Sequence, residues 1–152
     1  MRGYFAIGVY RAKTETNVGT LWRSAYQLGA SFVFTVGARY RKQRTDTYAT
    51  SNHVPLFHFD GLDDLICHMP DSCRLVGVET GGEDARLVKH PNPCCYLLGA
   101  EDFGLPTVVL SRCDMVVSIP AVRRSSFNVS VAGSIVMYER FRQTQSKGVV
   151  SL

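Results

Sequence analysis

The chain has 152 residues, with 17 lysines and arginines against 13 aspartates and glutamates, a formal net charge of +4 and 45% hydrophobic residues. This composition excludes disordered, collagen-like and coiled-coil proteins, and the length suits one domain with one core. No apolar run approaches the ~20 residues of a membrane span, so we expect no membrane partner. The N-terminus lacks a signal-peptide pattern, so we expect a cytoplasmic protein.

Apolar runs and helical patterns alternate along the chain. Strands are predicted, in chain order, at Tyr4–Tyr10, Ser31–Val36, Pro55–Phe59, Arg74–Glu79, Tyr96–Gly99 and Met115–Ile119. Helices are predicted between them at Asn17–Leu28, Leu62–His68, Pro106–Cys113 and Asn128–Arg142. This alternation predicts an α/β fold with a mainly parallel sheet flanked by helices. In such folds ligands bind at the carboxyl ends of the strands, which directs attention to the loops there.

Local signals set the expected ends of these elements. Thr16 or Asn17 is expected to cap the first long helix, and Gly29 stands where a C-cap glycine belongs. Ser126 or Asn128 is expected to cap the last helix.

Several familiar sites are absent from the sequence. There is no G-x-G-x-x-G and no G-x-x-x-x-G-K-[ST], which disfavours a dinucleotide site and excludes a P-loop. The four histidines are scattered, so we expect no metal site. The cysteines form no C-x-x-C pair and are expected to be free thiols rather than disulfides or zinc ligands. They are Cys67, Cys73, Cys94, Cys95 and Cys113.

The first polar motif begins the helix predicted at Asn17–Leu28. Asn17 and Gly19 lie in its first turn, where a polar side chain can bond a neighbouring loop and free N–H groups attract anions. Arg23 lies nearly two turns further on. By itself Arg23 is either a functional cation or an arginine that extends into solvent.

The second motif follows a buried strand and runs from Gly99 to Pro106. Glycines at a strand end let a ligand approach the backbone closely. Glu101 could bind a cation or a hydroxyl group here. The alternative is a tight turn whose carboxylates are only solvated.

The third motif combines a basic loop, Arg123-Arg124-Ser125, with the start of the last helix. Ser126 and Asn128 are polar groups at that start. Ala132 and Gly133 permit close packing of backbone. The alternative is simple helix capping with a small-residue packing face.

Together the three segments, over about Tyr4 to Glu139, resemble the SpoU branch of the SPOUT methyltransferases. Those proteins are S-adenosylmethionine-dependent RNA 2′-O-ribose methyltransferases with a trefoil knot, and their motifs are N-x-G-x-x-x-R, G-x-E-x-x-G-L and S-L-N-V-S-x-A. Two departures are Phe127, where leucine is usual, and Gly133, where alanine is common. The matching residues are, in motif order, Asn17, Gly19 and Arg23; Gly99, Glu101, Gly104 and Leu105; and Ser126, Asn128, Val129, Ser130 and Ala132.

The resemblance implies a single methyltransferase domain over residues 1–152, with a deep C-terminal trefoil knot. It implies S-adenosylmethionine as the cofactor, no metal, and methyl transfer to a ribose 2′-hydroxyl. The cofactor would lie between three loops with Ser126 nearby. The loop residues are Val78, Glu79 and Thr80; Gly99, Ala100 and Glu101; and Ile119 and Pro120.

The resemblance also makes Arg23 the catalytic arginine. Either Arg23 is the general base, although a free guanidinium has a pKa above about 12, or it binds the adjacent phosphate and polarises the hydroxyl. Asn17, Ser126 and Asn128 would orient Arg23 and the loops, with Glu101 in the same network.

A basic segment after the second strand suits RNA. Arg39, Arg41, Lys42 and Arg44 would contact phosphates, and Tyr40 could stack on a base. The alternative is a solvated basic loop.

Members of the family work as homodimers with the C-terminal helix at the interface. Val129, Ala132, Gly133 and Val136 could pack against a second copy, or only within their own subunit.

The chain has no room for an additional RNA-binding domain, so we expect tRNA as the substrate, with rRNA as the alternative. A catalytically silent knot-fold RNA-binding protein is a second class. A different α/β nucleotide-binding enzyme is disfavoured, because the sequence lacks the glycine and lysine motifs of such enzymes.

Overall fold

The computed structural model describes residues 3–40, 53–101 and 103–144. Strands and helices alternate through these ranges. The strands are β1 (Phe5–Tyr10), β2 (Phe32–Val36), β3 (Leu56–Phe59), β4 (Arg74–Asp84), β5 (Cys94–Leu98) and β6 (Met115–Ser118). The helices that lie wholly within these ranges are α1 (Glu15–Leu28), α2 (Leu62–His68), α3 (Thr107–Leu110) and α4 (Val129–Thr144).

The strands form one six-stranded sheet in the order β3-β2-β1-β5-β4-β6. Every recorded pair of neighbouring strands is parallel. Central parallel strands are covered on both faces, which is why β1 and β5 consist almost entirely of apolar residues. The predicted parallel α/β fold is confirmed.

The alternation of side chains along each strand divides the core between the two faces of the sheet. Ile7 and Val9 of β1 pack on the face that carries α1 and α4. Ala6 of β1 and Leu97 of β5 pack on the other face, with α2 and α3. The sheet is therefore flanked by helices on both sides.

Strand β4 is longer than the sequence predicts, and it contains an irregularity. Val78 and Glu83 both pair with Val117, so the residues between them bulge out of the strand. A Cβ on Gly82 would lie 2.7 Å from the Val116 carbonyl oxygen, so glycine permits this close approach. Val78, Glu79 and Thr80, which were predicted to form a loop that holds the cofactor, thus lie within β4 at its bulge.

The helix ends confirm two expectations and correct one. Gly29 ends α1 in the left-handed conformation with φ 88°, as predicted. Thr16 and Asn17 do not cap α1, because the helix begins earlier and Thr14 is at its N-cap position. Asn128 caps α4, because its Oδ1 accepts the Ser130 backbone N–H at 3.0 Å.

Pro106 is also placed differently from the prediction. It precedes α3 as the N-cap residue instead of forming the first helical position. The predicted free thiols are confirmed for all five cysteines.

Helices α1 and α4 pack closely against each other. A Cβ on Gly133 would lie 2.3 Å from Leu21 Cδ1, so a larger residue would force the helices apart. Val129, Gly133 and Val136 are buried within the subunit. The prediction that these residues face a second copy is therefore wrong, and the opposite side of α4 is the exposed one.

The knot, the domain organisation and the absence of membrane helices are also predictions from the sequence or from the family resemblance. Within the described ranges, no helix combines the length and the apolar character that a membrane crossing requires. The trefoil knot and the single-domain organisation stay predictions.

Candidate functional site

A cavity of about 270 Å³ lies beside the bulge of β4 and the carboxyl ends of β5 and β6. This volume is near the lower end of the range of about 300–1,000 Å³ for small-molecule sites. Of the residues predicted to hold a cofactor, Pro120 does not line the cavity and the others do. The lining residues are Val78, Glu79, Thr80, Leu98, Gly99, Ala100, Glu101, Phe103, Gly104, Ile119, Ser125, Ser126, Phe127, Val129 and Ala132.

The loop after β5 is held in a tight fold by its glycines and by Glu79. Glu79 Oε2 accepts the Leu105 backbone N–H at 2.7 Å, and the Gly104 N–H donates to the Ala100 carbonyl at 3.0 Å. A Cβ on Gly99 would lie 2.2 Å from the carbonyl carbon of Gly104. Gly104 has φ 62°, which favours glycine. The glycine positions of the second motif are therefore fixed by this close backbone contact.

A chain of hydrogen bonds links the three motifs. Asn17 Nδ2 donates to Glu101 Oε1, and the Thr14 hydroxyl donates to the same oxygen at 2.7 Å. Asn128 Nδ2 donates to Asn17 Oδ1 at 3.0 Å, while Asn128 Oδ1 accepts the Ser130 hydroxyl at 2.6 Å. The start of α1, the loop after β5 and the start of α4 are thereby joined beside the cavity.

The carboxylate of Glu101 is adapted to this position. Burial favours its neutral form, but hydrogen bonds from Thr14, Asn17 and backbone N–H groups outweigh that effect and lower the pKa of Glu101. Glu101 Oε2 is buried and has no hydrogen-bond partner among the described residues. This oxygen is therefore an unsatisfied hydrogen-bond acceptor at the cavity wall.

Two residues of the predicted catalytic set lie outside the hydrogen-bonded chain. Arg23 is exposed on α1 and, among the described residues, forms no hydrogen bond or ion pair. Ser126 lines the cavity but makes no hydrogen bond within the described part of the chain. Asn17 and Asn128 thus connect the loops, as predicted, but neither is hydrogen-bonded to Arg23.

Several of the described arginines lie beside a carboxylate, as in the Arg112–Asp63 pair at 2.8 Å and the Arg86–Asp84 pair at 2.7 Å. Arg123 and Arg124 are exposed on the loop after β6 and have no such partner within the described ranges. This loop continues into the cavity wall at Ser125, so two exposed arginines adjoin the cavity in sequence, while Glu79 and Glu101 line it.

The predicted RNA-binding segment is described only in part. Arg39 is exposed and lies 3.9 Å from Asp60. The ring of Tyr40 packs edge-on against Trp22, with the ring centres 6.0 Å apart. Stacking of Tyr40 on a base stays a prediction. The other predicted residues of the segment, Arg41, Lys42 and Arg44, lie outside the described residues.

Sequence reasoning missed several residues of the site. Thr14 is a partner of Glu101, and its position just before the predicted helix was the available signal. Phe103 and Phe127 also line the cavity; Phe103 stands at an unspecified position of the second motif, and Phe127 stands where the third motif usually has leucine. Among the described residues, no group of three or more potential metal ligands comes together.

Comparison with known proteins identifies the family. The model of the SpoU rRNA Methylase family matches residues 4–138, which is most of the chain. The chain belongs to this family. The SpoU motifs in this sequence are therefore the ones that the structure joins beside the cavity.

One curated SpoU relative is the tRNA (guanosine(18)-2'-O)-methyltransferase of Escherichia coli strain K12. It is 27% identical over 139 residues, which are 88% of this chain and 61% of the relative. The chain thus spans about three fifths of that relative's length.

Two solved structures illustrate the fold of this SpoU protein. An AdoMet-bound rRNA methyltransferase from Sinorhizobium meliloti has a TM-score of 0.81 and 25% identity, covering 96% of this chain and 59% of the other. A structure described as giving insights into the 2-OH methylation of C/U34 on tRNA has a TM-score of 0.82 and 22% identity. It covers 95% of this chain and 99% of its own and shows likeness of fold alone.

Proposed function

We propose that the chain is an S-adenosylmethionine-dependent RNA methyltransferase that modifies a ribose 2′-hydroxyl, with tRNA as the favoured substrate. The observation that carries this proposal is the hydrogen-bonded chain from Asn128 through Asn17 to Glu101. It unites the three SpoU motifs beside one cavity. A curated relative that acts on the 2′-oxygen of a tRNA guanosine supports the reaction and the substrate.

The cavity residues fit S-adenosylmethionine, which supplies an activated methyl group on a sulfonium. Gly99 and Ala100 line the cavity wall, where Val78, Leu98 and Ile119 offer apolar surface. Such a mixture of apolar side chains and a few polar groups is typical of cofactor sites. The unpaired Oε2 of Glu101 leaves one acceptor for a polar group of the ligand.

Arg23 is the group that we assign to the ribose of the RNA. Its guanidinium carries donors in a planar fork that suits a phosphate, and no carboxylate in the described part of the chain neutralises it. Bound to the phosphate next to the target ribose, Arg23 would hold the 2′-hydroxyl in place for in-line attack. A role as general base stays the alternative.

RNA binding is supported by charge at the cavity rim. Arg123 and Arg124 add two positive charges that no described carboxylate offsets. Arg39, Arg41, Lys42 and Arg44 would extend the phosphate-binding surface.

We further propose that the protein is a homodimer through an apolar groove between α1 and α4. Val131, Ile135 and Tyr138 recur at one side of α4 and are exposed by 45%, 36% and 59%. Together with Leu28 of α1 they line a groove of about 550 Å³. A surface stripe of this kind is typical of an interface.

Light scattering tests the dimer. Ile135→Asp should yield a monomer, because it places a charge within the groove. The control Leu87→Asp changes a residue that is 82% exposed elsewhere, and it should stay dimeric. A wild-type monomer would contradict the proposal.

The assay for the proposed function is transfer of labelled methyl from S-adenosylmethionine into separate tRNA and rRNA fractions. Label in tRNA is the expected result. Label in rRNA alone would favour the rRNA alternative, which the S. meliloti neighbour supports. No label in either fraction, together with no cofactor binding, would favour a catalytically silent RNA-binding protein.

A further inference from the structure

A largely solvent-exposed aromatic side chain lies at the rim of the proposed cofactor cavity. Phe103 lines this cavity, yet 83% of its surface is exposed. The hydrogen bond between Gly104 and Ala100 closes the loop around it. The ring is thus presented to solvent next to a backbone hydrogen bond at the cavity.

A lysine side chain makes a cation–π contact with this ring. The Lys13 ammonium lies 5.0 Å from the centre of the Phe103 ring, over one face. Lys13 immediately precedes Thr14, which is bonded to Glu101. Because Phe103 remains so exposed, the contact with Lys13 leaves most of the ring surface open.

The surroundings favour a polyanion that carries flat apolar rings. Arg123 and Arg124 are exposed on the loop whose continuation, Ser125 to Phe127, lines the same cavity. Unpaired nucleobases stack on aromatic side chains, while cations nearby contact the phosphates. An exposed aromatic ring beside Lys13, at a cavity that the Arg123–Arg124 loop also reaches, therefore suits single-stranded RNA.

We propose that Phe103 is a substrate-positioning residue that stacks on an unpaired nucleobase of the RNA. This inference rests on the proposed function, and it adds the class of RNA segment that the site receives. The base stacks on the open part of the ring, and Lys13 stays on the face that it already covers. Stacking of this kind tolerates any base, so it positions the RNA without selecting its sequence.

The test compares variants at position 103 in two measurements, the Kd and KM for tRNA and the Kd for S-adenosylmethionine. Phe103→Ala and Phe103→Leu should raise the Kd and KM for tRNA by about fivefold or more, which is the lower bound for loss of one stacked base. Phe103→Tyr should restore them. The control Leu87→Ala, at a residue that is equally exposed, should change neither, and affinity for S-adenosylmethionine should be unchanged throughout.

Phe103→Trp gives a direct signal that needs no turnover. The one tryptophan of the chain, Trp22, is buried. Fluorescence of the new exposed indole should therefore be quenched when unlabelled tRNA stacks on it.

Several outcomes would overturn the inference. One is a Kd for tRNA in Phe103→Ala that equals the wild-type value, and another is a wild-type Kd and KM for tRNA in Phe103→Leu. A third is a loss of affinity for S-adenosylmethionine as large as the loss for tRNA, which would place the ring over the cofactor. A wild-type protein that binds tRNA without methylating it refutes the proposed function, but the quenching measurement still decides the role of Phe103.

Discussion

The side-chain amide of Asn17 donates a hydrogen bond to the carboxylate of Glu101, although the two residues are 84 positions apart. Asn17 belongs to the first turn of α1, and Glu101 belongs to the loop that follows β5. The other end of the Asn17 amide accepts from Asn128. One asparagine therefore connects a wall of the cavity to two helix starts.

Loss of this link should loosen the cavity wall. Asn17→Ala removes a donor to a carboxylate, which costs about 1.5–3 kcal/mol of the free energy of unfolding. Affinity for S-adenosylmethionine should fall with it, because the loop that carries Glu101 is released. Urea unfolding and calorimetry measure the two effects. The exposed neighbour Thr16→Ala is the control, and equal behaviour of the two variants would contradict this role for Asn17.

Gly99 should tolerate no side chain. A Cβ at this position would lie 2.2 Å from backbone of Gly104, so the loop must move. Overpacking costs about 1–3 kcal/mol, and we expect Gly99→Ala to weaken binding of S-adenosylmethionine correspondingly. At Gly61 nothing lies within 4 Å of a new Cβ, which makes Gly61→Ala the matched control. Unaltered cofactor affinity in Gly99→Ala would disprove the steric account.

The buried His90 should make stability depend on pH. Its Nδ1 lies 2.6 Å from the Tyr96 hydroxyl and its Nε2 lies 2.8 Å from the Ala85 carbonyl oxygen. Burial, together with the nearby Arg140 charge, lowers the pKa of His90, although the bond to Ala85 opposes this shift. The folded protein thus keeps His90 neutral at a pH where the unfolded chain protonates it.

The direction of the effect follows from proton binding. Below about pH 6.5 the unfolded state binds more protons, so the free energy of unfolding falls by at most about 1.4 kcal/mol per pH unit. Urea unfolding at a series of pH values measures the slope, and His90→Gln should flatten it. A variant with the slope of the wild type would show that His90 is not responsible.

The fold was largely predictable from the sequence because its elements are local patterns. The apolar run of β1 and the periodicity of α1 mark their own positions, and Gly29 marks the end of α1. The bulge of β4 was not predictable. It depends on the pairing of Val78 and Glu83 with one residue of a strand far along the chain.

The site also combines features that local sequence predicts with features that depend on tertiary structure. Asn17 was recognised as a functional residue, but its polar side chain in a first turn suits a cap as well as a link to Glu101. The correct choice depends on tertiary structure. The exposed face of α4 was misassigned because Val131 and Ile135 are as apolar as the buried Val129 and Val136. Hydrophobicity alone could not distinguish the two sides of this helix.

Arg23 should be essential for turnover but not for stability or for binding of S-adenosylmethionine. Arg23→Ala should lower kcat by about 10²-fold or more, because the 2′-hydroxyl is no longer held in place for in-line attack. Because Arg23 is exposed and does not line the cavity, the melting temperature and the Kd for S-adenosylmethionine should stay as in the wild type. Arg112→Ala, which breaks an exposed ion pair, is the control.

Arg23→Lys separates the two roles of this residue. Retained activity favours binding of the phosphate by a positive charge, since lysine still supplies one. Turnover of Arg23→Ala near the wild-type rate would remove Arg23 from the reaction.

The most direct test of the account is the chemical position of the transferred methyl group. Purified protein is incubated with tRNA and S-adenosylmethionine that carries a trideuterated methyl, and the RNA is digested to nucleosides for fragmentation by mass spectrometry. The account predicts deuterium on the ribose fragment of one nucleoside and none after reaction with Arg23→Ala. Deuterium on a base fragment, or none in RNA from a protein that binds the cofactor, would contradict it.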